Sequence, residues 1–446
     1  MDRVHNARPA NRRITVNTMK YARTLSHIVL LWGGSLAGAG IAFLTQVALG
    51  RHLGPDDYGT FSSALAQTIL LSQVAGIGLQ TFWLSAYGRE GWLAARWLPS
   101  SIKLLGITST VSIAIYLAMV AVAPNKPHSI ATLLWMAPSI LGFAAVELTA
   151  SKLQLEERFL AISIWQVAHH ALRFGLVLAL IQIYHQGGML LGTSAIYSLV
   201  AMVLATITYR QLKSMSRGDF NLCGHGERPS RDRAAPAPSV KDVFRESWPF
   251  GADALLYLAY FQCSNILLIY LAGDRAAGLY FSAFNIMNAI YLLPTVLYTK
   301  FLLSKIHRWA HHERAKLKTL LHAGATAMLC LGVTCTLVVW LASDFIIQSL
   351  YGKQFSGAEP ILLTLAFCAP LRFVSTSIGA ILTTGSQMMT RIKIKVICAV
   401  LCIALNLILI PKLGAMGAAL STVATELCLL VLFSIITFIR RQQIFG

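Results

Sequence analysis

Residues 26–50 read SHIVLLWGGSLAGAGIAFLTQVALG, a stretch of 25 residues without a single Asp, Glu, Lys or Arg. An α-helix needs about 20 predominantly apolar residues to cross the hydrocarbon core of a bilayer. This stretch is therefore long enough and apolar enough to span a membrane. It is followed at 51–59 by RHLGPDDYG, in which glycine, proline and charged residues predict a turn at the membrane surface.

The composition of the whole chain agrees with a membrane-embedded fold. Of its 446 residues, 56% are hydrophobic and 12% are Asp, Glu, Lys or Arg, whereas about 25% of the residues in a soluble globular protein are charged. The mean hydropathy is +0.63. A soluble fold cannot bury that much apolar surface, and a disordered chain is polar. The composition also excludes collagen-like, coiled-coil and small disulfide-rich proteins.

Further apolar stretches of similar length follow the first one. They predict an all-α integral membrane protein with about twelve transmembrane helices. The candidate spans are 26–50, 59–85, 101–123, 129–150, 159–184, 188–209, 247–272, 278–303, 319–342, 358–384, 393–411 and 414–439.

The basic residues predict how these helices are oriented. A formal net charge of +19 suggests nucleic-acid binding in a soluble protein, but here the basic residues are dispersed among the loops. With the N-terminus inside, the predicted cytoplasmic segments hold 30 Lys and Arg residues and the outside loops hold five. The positive-inside rule therefore predicts that both termini are cytoplasmic, and no nucleic-acid partner is expected.

The cysteines do not indicate metal or cofactor chemistry. Seven of the eight lie in apolar stretches, where buried thiols behave as small hydrophobic residues. Cys223 lies in a polar stretch, but no second pair of ligands accompanies it. We predict no metal site and no cofactor.

The chain divides near its middle into two halves joined by a polar, proline-containing linker. The predicted segments are a basic cytoplasmic N-terminus at 1–25, a six-helix half at 26–209, a cytoplasmic linker at 210–246, a second six-helix half at 247–439 and a cytoplasmic tail at 440–446.

An internal repeat relates the two halves. A shift of 219 residues places 46–89 on 265–308 without a gap and gives nine identities, against roughly three or four expected by chance in such a composition. Gly59 and Gly278 are one of the identical pairs. Because each half has an even number of helices, the halves are expected to be related by a pseudo-two-fold axis along the membrane normal, with a central cavity between them that opens to alternate sides. The alternative is that loop glycines recur in any membrane protein.

Charged residues inside spanning helices are costly and therefore mark candidate functional sites. Arg173, with His169 and His170 beside it, lies in the predicted fifth helix, and Arg372 lies in the tenth. Cations from different halves that face one cavity would bind an anion, and arginine suits bidentate contact with phosphate. The alternative is that each arginine only fixes helix packing, as in a pair of Arg173 with Glu147 or of Arg372 with Asp253. Asp253, Glu147 and Glu426 are accordingly candidates for ion coupling or for packing.

Two further pairs of polar residues are singled out by the repeat. Gln46 and Asn265 match under the shift and either hydrogen-bond sugar hydroxyls of a substrate or bond between helices. Arg89 and Arg308 also match and lie at the predicted cytoplasmic ends of their helices, so they are candidates for a cytoplasmic gate.

The acidic pair Asp56 and Asp57 raises the possibility of an enzyme. Membrane glycosyltransferases place a catalytic carboxylate just outside the first helix, but they also need large extracytoplasmic loops to build an acceptor site. The predicted outside loops here are all short, so the pair is interpreted as part of a turn. No Ser/His/Asp set, zinc spacing or phosphate-binding glycine loop indicates another activity, and we predict that the chain is not an enzyme.

Three motifs resemble one family of membrane proteins. Residues 50–61, GRHLGPDDYGTF, resemble the loop after the first helix in bacterial polysaccharide flippases of the Wzx type, which belong to the multidrug/oligosaccharidyl-lipid/polysaccharide (MOP) exporter superfamily. Residues 278–283, GLYFSA, resemble the matching segment of the second half, and 414–419, GAMGAA, resemble the start of the last helix. The resemblance implies the MATE-like architecture of two six-helix halves.

The resemblance also implies a function and a location. Members of the family move an undecaprenyl-diphosphate-linked oligosaccharide across the bacterial cytoplasmic membrane for surface polysaccharide synthesis. Arg173 and Arg372 would neutralise the diphosphate, and a polysaccharide polymerase and assembly machinery are implied partners besides membrane lipids. One departure is that family members often carry an acidic residue near the outer half of the seventh helix, where this chain has Ser264 and Asn265. The alternatives are a cation-coupled multidrug exporter of the same superfamily and a glycosyltransferase or polymerase acting on lipid-linked sugars.

Overall fold

A computed structural model describes residues 9–122, 127–184, 188–222, 236–295, 314–382 and 388–441. These residues form α-helices joined by short connections, with two short 3₁₀ helices at Gly91–Trp97 and Lys353–Ala358. The α-helices are α1 (Pro9–Gly76), α2 (Leu79–Glu90), α3 (Leu98–Val122), α4 (Pro127–Met136), α5 (Ser139–Leu155), α6 (Phe159–Ile183), α7 (Met189–Arg217), α8 (Val240–Leu271), α9 (Asp274–Thr295), α10 (Arg314–Tyr351), α11 (Glu359–Ala366), α12 (Cys368–Ile381), α13 (Met388–Leu413) and α14 (Ala415–Ile439).

Helix α1 is broken at Gly54, and the break separates the predicted first and second spans. Gly54 has φ 76° and ψ 171°, a backbone conformation that glycine adopts without the steric penalty of a Cβ atom. Pro55 follows and lacks the N–H that an uninterrupted helix would use. The predicted turn is therefore a single non-helical residue, and helix resumes directly after it. We refer to residues 55–76 as the second arm of α1.

Prolines split two other predicted spans. The predicted fourth span is two helices, α4 and α5, with Pro138 at the junction. The predicted tenth span is likewise two helices, α11 and α12, which meet at Phe367. Pro370 lies four residues after Ala366, and its ring would collide with the carbonyl of that residue in a continuous helix. Both breaks follow from the missing donor and the bulk of proline.

The multi-pass membrane architecture is confirmed. The described residues contain ten helical stretches long and apolar enough to cross a membrane, and the first of them, Trp32–Val122, covers 91 residues and holds three of the predicted spans. Large apolar side chains point outward along these helices; Leu341, for example, is 90% exposed. Such surfaces are stable against lipid rather than water. The count of twelve spans and the cytoplasmic location of the termini remain predictions.

The second arm of α1 packs against α9 through the repeat glycines. A Cβ atom on Gly59 would overlap the carbonyl oxygen of Asp274, and a Cβ atom on Gly278 would overlap the carbonyl oxygen of Pro55. The shift of 219 residues relates Gly59 to Gly278 and Pro55 to Asp274. The contact is therefore the same when the two segments are exchanged, as expected at a two-fold axis. Small residues allow the two backbones to approach this closely.

Candidate functional site

A cavity of about 410 Å³ lies among helices α8, α9, α12, α13 and α14. All of these helices follow the predicted linker, so the cavity lies within the second half of the chain. Its polar lining consists mainly of three basic residues, one acid and two tyrosines. These residues are Arg372, Arg391, Lys395, Glu426, Tyr257 and Tyr260.

Arg372 is held in the cavity wall by an ion pair. Its Nη1 atom donates to Glu426 Oε1 over 2.7 Å, and its Nη2 atom donates to the Tyr257 hydroxyl over 2.9 Å. The Tyr260 hydroxyl donates to the same oxygen of Glu426. The Glu426 side chain is 1% exposed and the Arg372 side chain 13% exposed. The sequence suggests Asp253 as the partner of Arg372, and the structure shows Glu426 in that place.

Aromatic rings enclose the Arg372 guanidinium on two sides. Its Cζ atom lies 4.7 Å from the centre of the Phe261 ring and 4.6 Å from the centre of the Tyr291 ring. A cation over an aromatic face is stabilised by about 0.5–2 kcal/mol, with the larger values at desolvated sites. Arg372 is therefore fixed in position by charge, by hydrogen bonds and by rings.

A second ion pair joins α8 and α13 at the same cavity. Lys395 Nζ donates to Asp253 Oδ1 over 2.7 Å and lies 5.9 Å from the centre of the Tyr257 ring. One turn earlier on α13, Arg391 also lines the cavity, and its Nε atom is buried without a hydrogen-bond partner among the described residues. The cavity therefore has more positive than negative groups, since three basic side chains meet two carboxylates.

The sequence interpretation missed Arg391, Lys395, Tyr257 and Tyr260. Counting Lys and Arg residues to find the orientation places Arg391 and Lys395 in a cytoplasmic segment at 391–395, which overlaps the span predicted from residue 393. In the structure both residues lie in α13 and line the cavity. Their spacing of four residues places them on one face of a helix. Cys398 and Cys402, which are both buried, continue that face. If the helical periodicity of this span is continued towards its polar N-terminal end, it places the two cations on the buried face of the helix.

Arg173 lies in the first half, away from this cavity. It is 3% exposed, and its Cζ atom lies 4.9 Å from the centre of the Phe143 ring and 5.0 Å from that of the Tyr197 ring. Its Nε and Nη2 atoms are buried and find no acceptor among the described residues. The ion pairs of the described residues do not include Arg173 or Glu147. The predicted pairing of Arg173 with Glu147 is therefore not observed.

The two histidines beside Arg173 stack on each other. The ring centres of His169 and His170 are 4.0 Å apart, and His169 Nδ1 lies 2.8 Å from the carbonyl oxygen of Trp165. A Cβ atom on Gly38 of α1 would approach the His170 ring to 3.3 Å. Helix α1 therefore packs directly on the histidine face of α6.

Gln46 forms hydrogen bonds with two buried tyrosines. Its Nε2 atom donates to the Tyr197 hydroxyl over 3.4 Å, and its Oε1 atom accepts from the Tyr58 hydroxyl over 3.4 Å. Tyr197 is the residue whose ring lies under Arg173. The described hydrogen bonds of Gln46 thus lead to α7 and to the second arm of α1.

Asn265 is also buried among helices. Its carbonyl oxygen accepts from Ser63 on the second arm of α1 over 3.1 Å, and its side chain donates to Gln262 over 2.9 Å. Its Oδ1 atom has no hydrogen-bond partner among the described residues. The predicted site residues are thus dispersed. The described cavity of the second half contains Arg372 but not Arg173, and Gln46 and Asn265 lie in helix contacts outside it.

The two halves differ in the residues at one helix contact that the repeat relates. Extended outward, the shift of 219 residues relates Gly34 to Asp253 and Gly38 to Tyr257. In the first half the glycines let α1 close on α6, where a Cβ atom on Gly34 would come within 2.8 Å of Ser163. In the second half Asp253 on α8 pairs with Lys395 on α13, and Tyr257 lines the cavity.

The candidate gate lies where α2 meets α8. Arg89 and Glu246 form an exposed ion pair with a nitrogen-to-oxygen distance of 3.7 Å. Beside it, a Cβ atom on Gly251 would lie 2.7 Å from the carbonyl carbon of Ile77. The two halves are thus in close contact at this end. Arg308, the second gate candidate, lies outside the described residues.

Asp56 lies in the second arm of α1, at the opposite end of that arm. Its Oδ2 atom accepts from Arg275 Nη1 over 3.3 Å, and both side chains are more than half exposed. The described cavities do not include Asp56 or Asp57 in their linings. The described residues likewise contain no cluster of His, Cys, Asp and Glu suited to a metal ion.

Comparison with known proteins gives both a family and a fold. A family model described as "Polysaccharide biosynthesis protein" matches residues 25–300. No curated protein matches the sequence. Among solved structures, the chain is similar to "Lipid II flippase MurJ, inward closed conformation", with a TM-score of 0.69, 13% identity and coverage of 92% of this chain and 87% of that chain.

Multidrug transporters share the fold. An inward-facing multidrug resistance MATE family transporter of the MOP superfamily has a TM-score of 0.62 and 16% identity, and the match covers 94% of this chain and 98% of that chain. The MATE multidrug transporter DinF-BH has a TM-score of 0.66 and 12% identity, with coverage of 94% of this chain and 96% of that chain. The predicted MATE-like fold is thereby confirmed, and none of these three structures is described as an enzyme.

Proposed function

Since the chain belongs to the polysaccharide biosynthesis protein family, we propose that it is a flippase for lipid-linked oligosaccharides. Its proposed substrate is an undecaprenyl-diphosphate-linked repeat unit, which it moves from the inner to the outer leaflet of the bacterial cytoplasmic membrane. The product enters the synthesis of exopolysaccharide, capsule or O-antigen. The proposed partners, besides membrane lipids, are the polysaccharide polymerase and its assembly machinery.

The observation that carries this proposal is the state of Arg173. An arginine in a spanning helix normally pairs with an acid or faces water, yet Arg173 is 3% exposed and forms no ion pair with the described residues. Two of its nitrogen atoms find no acceptor there. An anion that enters the interior would supply the missing charge and acceptors. A diphosphate has both, and it offers the oxygen geometry that a guanidinium binds with two parallel hydrogen bonds.

The barrier to translocation is the transfer of the charged, hydroxyl-rich head group through hydrocarbon. An isolated charge in a medium of low polarity is strongly disfavoured. In the proposed mechanism, Arg173 and Arg372 compensate the charge of the diphosphate, and polar side chains replace the water around the sugars. The polyprenyl tail stays in the bilayer. Arg372 becomes available only when its bond to Glu426 loosens, so Glu426 is the proposed coupling residue.

Alternating access requires contacts that close each end in turn. The halves meet at Gly59 and Gly278 at one end of the second arm of α1, and at Gly78 and Gly251 just beyond the other end. The residues from 59 to 78 extend over about 28 Å at 1.5 Å per helical residue, close to the roughly 30 Å of the hydrocarbon core. We propose that 26–209 and 247–439 rock about the linker 210–246, and that these glycine contacts open alternately.

Depletion of the protein in its own host tests this function. We expect complete lipid-linked repeat units to accumulate in the inner leaflet while surface polymer is lost. Incomplete units, or complete but unpolymerised units in the outer leaflet, would instead identify an enzyme. Unchanged polymer together with altered drug sensitivity would identify the cation-coupled multidrug exporter, which has the same fold but would call for a more acidic cavity than the one observed.

A further inference from the structure

We propose that Arg391 and Lys395 form a binding site for phosphate oxyanions inside the cavity of the second half. The site takes the diphosphate of a polyprenyl diphosphate or the phosphate of an anionic phospholipid, two head groups with the same donor requirements. The choice of ligand class rests on the proposed function. The site differs from the predicted one between the halves, because every helix that lines it belongs to the second half.

The charges around the cavity leave one cation uncompensated. Arg372 is matched by Glu426 over 2.7 Å, and Lys395 is matched by Asp253 over 2.7 Å. Arg391 forms no ion pair of its own with the described residues, although Asp253 lies within electrostatic range of it. Its Nε atom is buried without an acceptor in that part of the chain. One negative ligand would balance the site.

The donors converge in the manner that a phosphate requires. Arg391 and Lys395 are one turn apart on α13, so both extend from the same helix face. The guanidinium can hold two phosphate oxygens, and the ammonium adds a compact charge. The Tyr257 hydroxyl accepts from Arg372, and its own proton remains to be donated. Its ring lies 5.9 Å from Lys395 Nζ, so this hydroxyl group belongs to the same site.

The rest of the wall suits the carbon atoms next to a phosphate ester. Leu256, Leu429 and Phe433 line the cavity together with the small residues Gly379 and Ala380. The volume of about 410 Å³ falls in the range of roughly 300–1,000 Å³ that small-molecule sites occupy. A free nucleotide or sugar phosphate would leave this apolar surface without a partner, whereas a prenyl or acyl chain would cover it.

Binding of inorganic diphosphate to the purified full chain tests the site. The chain is placed in nanodiscs of phosphatidylcholine, and the affinity is measured by isothermal titration calorimetry. We expect Arg391→Gln to weaken binding roughly tenfold or more, because a charge-assisted bidentate contact is lost. Lys393→Gln is the matched control, since Lys393 is exposed on the same helix, and its affinity should stay within about twofold of the wild type.

A double variant guards against misfolding. Lys395→Gln alone leaves Asp253 without its partner, so Asp253→Asn is introduced with it. The double variant should elute as a single species and also bind diphosphate more weakly. Equal diphosphate affinity in the wild type and in Arg391→Gln, or no binding to the wild type at all, would overturn the site.

Competition then identifies the source of the head group. Displacement of diphosphate by a short polyprenyl diphosphate supports a role in carrying the substrate, and displacement only by phosphatidylglycerol assigns the site to a phospholipid.

Failure of this proposal and failure of the proposed function are distinguishable. If Arg391→Gln translocates normally and binds diphosphate like the wild type, the proposed phosphate site is wrong and the proposed flippase function is retained. If binding depends on Arg391 while no lipid-linked oligosaccharide is moved, the site stands and the flippase function is wrong.

Discussion

Arg372 and Glu426 form a 2.7 Å ion pair between α12 and α14, with the Glu426 side chain 1% exposed. The Tyr257 and Tyr260 hydroxyls complete the arrangement, because one accepts from the arginine and the other donates to the carboxylate. A buried pair of this kind contributes little net stability compared with well-packed apolar residues, but it becomes very unfavourable when one partner is removed. The pair therefore stabilises the contact between α12 and α14 only while both charges are present.

Removing one partner of this ion pair should destabilise the protein strongly. We expect Glu426→Gln to lower the free energy of unfolding by about 3–5 kcal/mol, since Arg372 is left as an uncompensated buried charge. The double variant Arg372→Met, Glu426→Leu should unfold close to the wild-type midpoint and yet support no surface polymer. Denaturant unfolding in detergent and surface polymer assays measure the two effects, with exposed Glu157→Gln as the control. A stable, fully active double variant would show that the pair has only a packing role.

The sequence predicted the helices better than the cavity, for physical reasons. Hydrocarbon thickness sets a minimum length that each apolar stretch reveals by itself. Pro138 nevertheless divides one predicted span into α4 and α5, and the turn predicted around Gly54 is only a break within α1. The site depends instead on which helix faces meet, and apolar content does not encode that. The sequence places Arg391 and Lys395 in a cytoplasmic segment, because counting basic residues for orientation ignores the side of the helix on which each one lies.

A methyl group at the glycine contact between the halves should be poorly tolerated. A Cβ atom on Gly278 would overlap the carbonyl oxygen of Pro55, and backbone cannot move aside as a flexible side chain can. We expect Gly278→Ala to cost about 1–3 kcal/mol of stability and to impair export. Gly175→Ala is the control, because no atom lies within 4 Å of its added Cβ. Equal thermal unfolding of the two variants would contradict the close contact.

The carboxylates of Asp56 and Asp57, near Gly54, should be dispensable. Asp56 pairs with Arg275 over 3.3 Å at the surface, and exposed pairs contribute about 0–1 kcal/mol. We expect Asp56→Asn and Asp57→Asn to retain surface polymer near the wild-type amount. A membrane glycosyltransferase would lose its activity on the same substitution. Polymer lost in either variant, while the protein remains at normal abundance, would support the enzyme instead of the flippase.

Close packing at the other end of the second arm should control access to the interior. A Cβ atom on Gly251 would lie 2.7 Å from the carbonyl carbon of Ile77. Gly251→Ala should therefore prevent α8 from closing on the segment at Ile77 and Gly78. Ser247 is fully buried beside it and its carbonyl oxygen faces Gly78. A cysteine introduced by Ser247→Cys should react faster with a water-soluble maleimide when Gly251→Ala is also present. The comparison is made with Gly88→Ala, where a Cβ atom meets nothing within 4 Å, and equal rates would refute the gating role.

Substitution of Arg173 distinguishes most clearly between a role in folding and a role in transport. Because no carboxylate pairs with it in the described residues, replacing it leaves no opposite charge behind. Arg173→Met removes a desolvated charge and gives up ring contacts worth about 0.5–2 kcal/mol. We therefore expect unfolding stability that is unchanged or higher, together with loss of repeat-unit translocation and hence of surface polymer.

Arg173→Lys should keep the charge but lose the two-point contact with a diphosphate, so its export should fall between those of Arg173→Met and the wild type. Stability is measured by thermal unfolding in detergent and export by surface polymer, with the exposed Arg210→Met as the control. A flippase that binds a diphosphate needs Arg173 for transport and not for folding. If Arg173→Met instead unfolds several degrees lower while the surviving protein exports normally, the residue packs helices and does not contact the substrate.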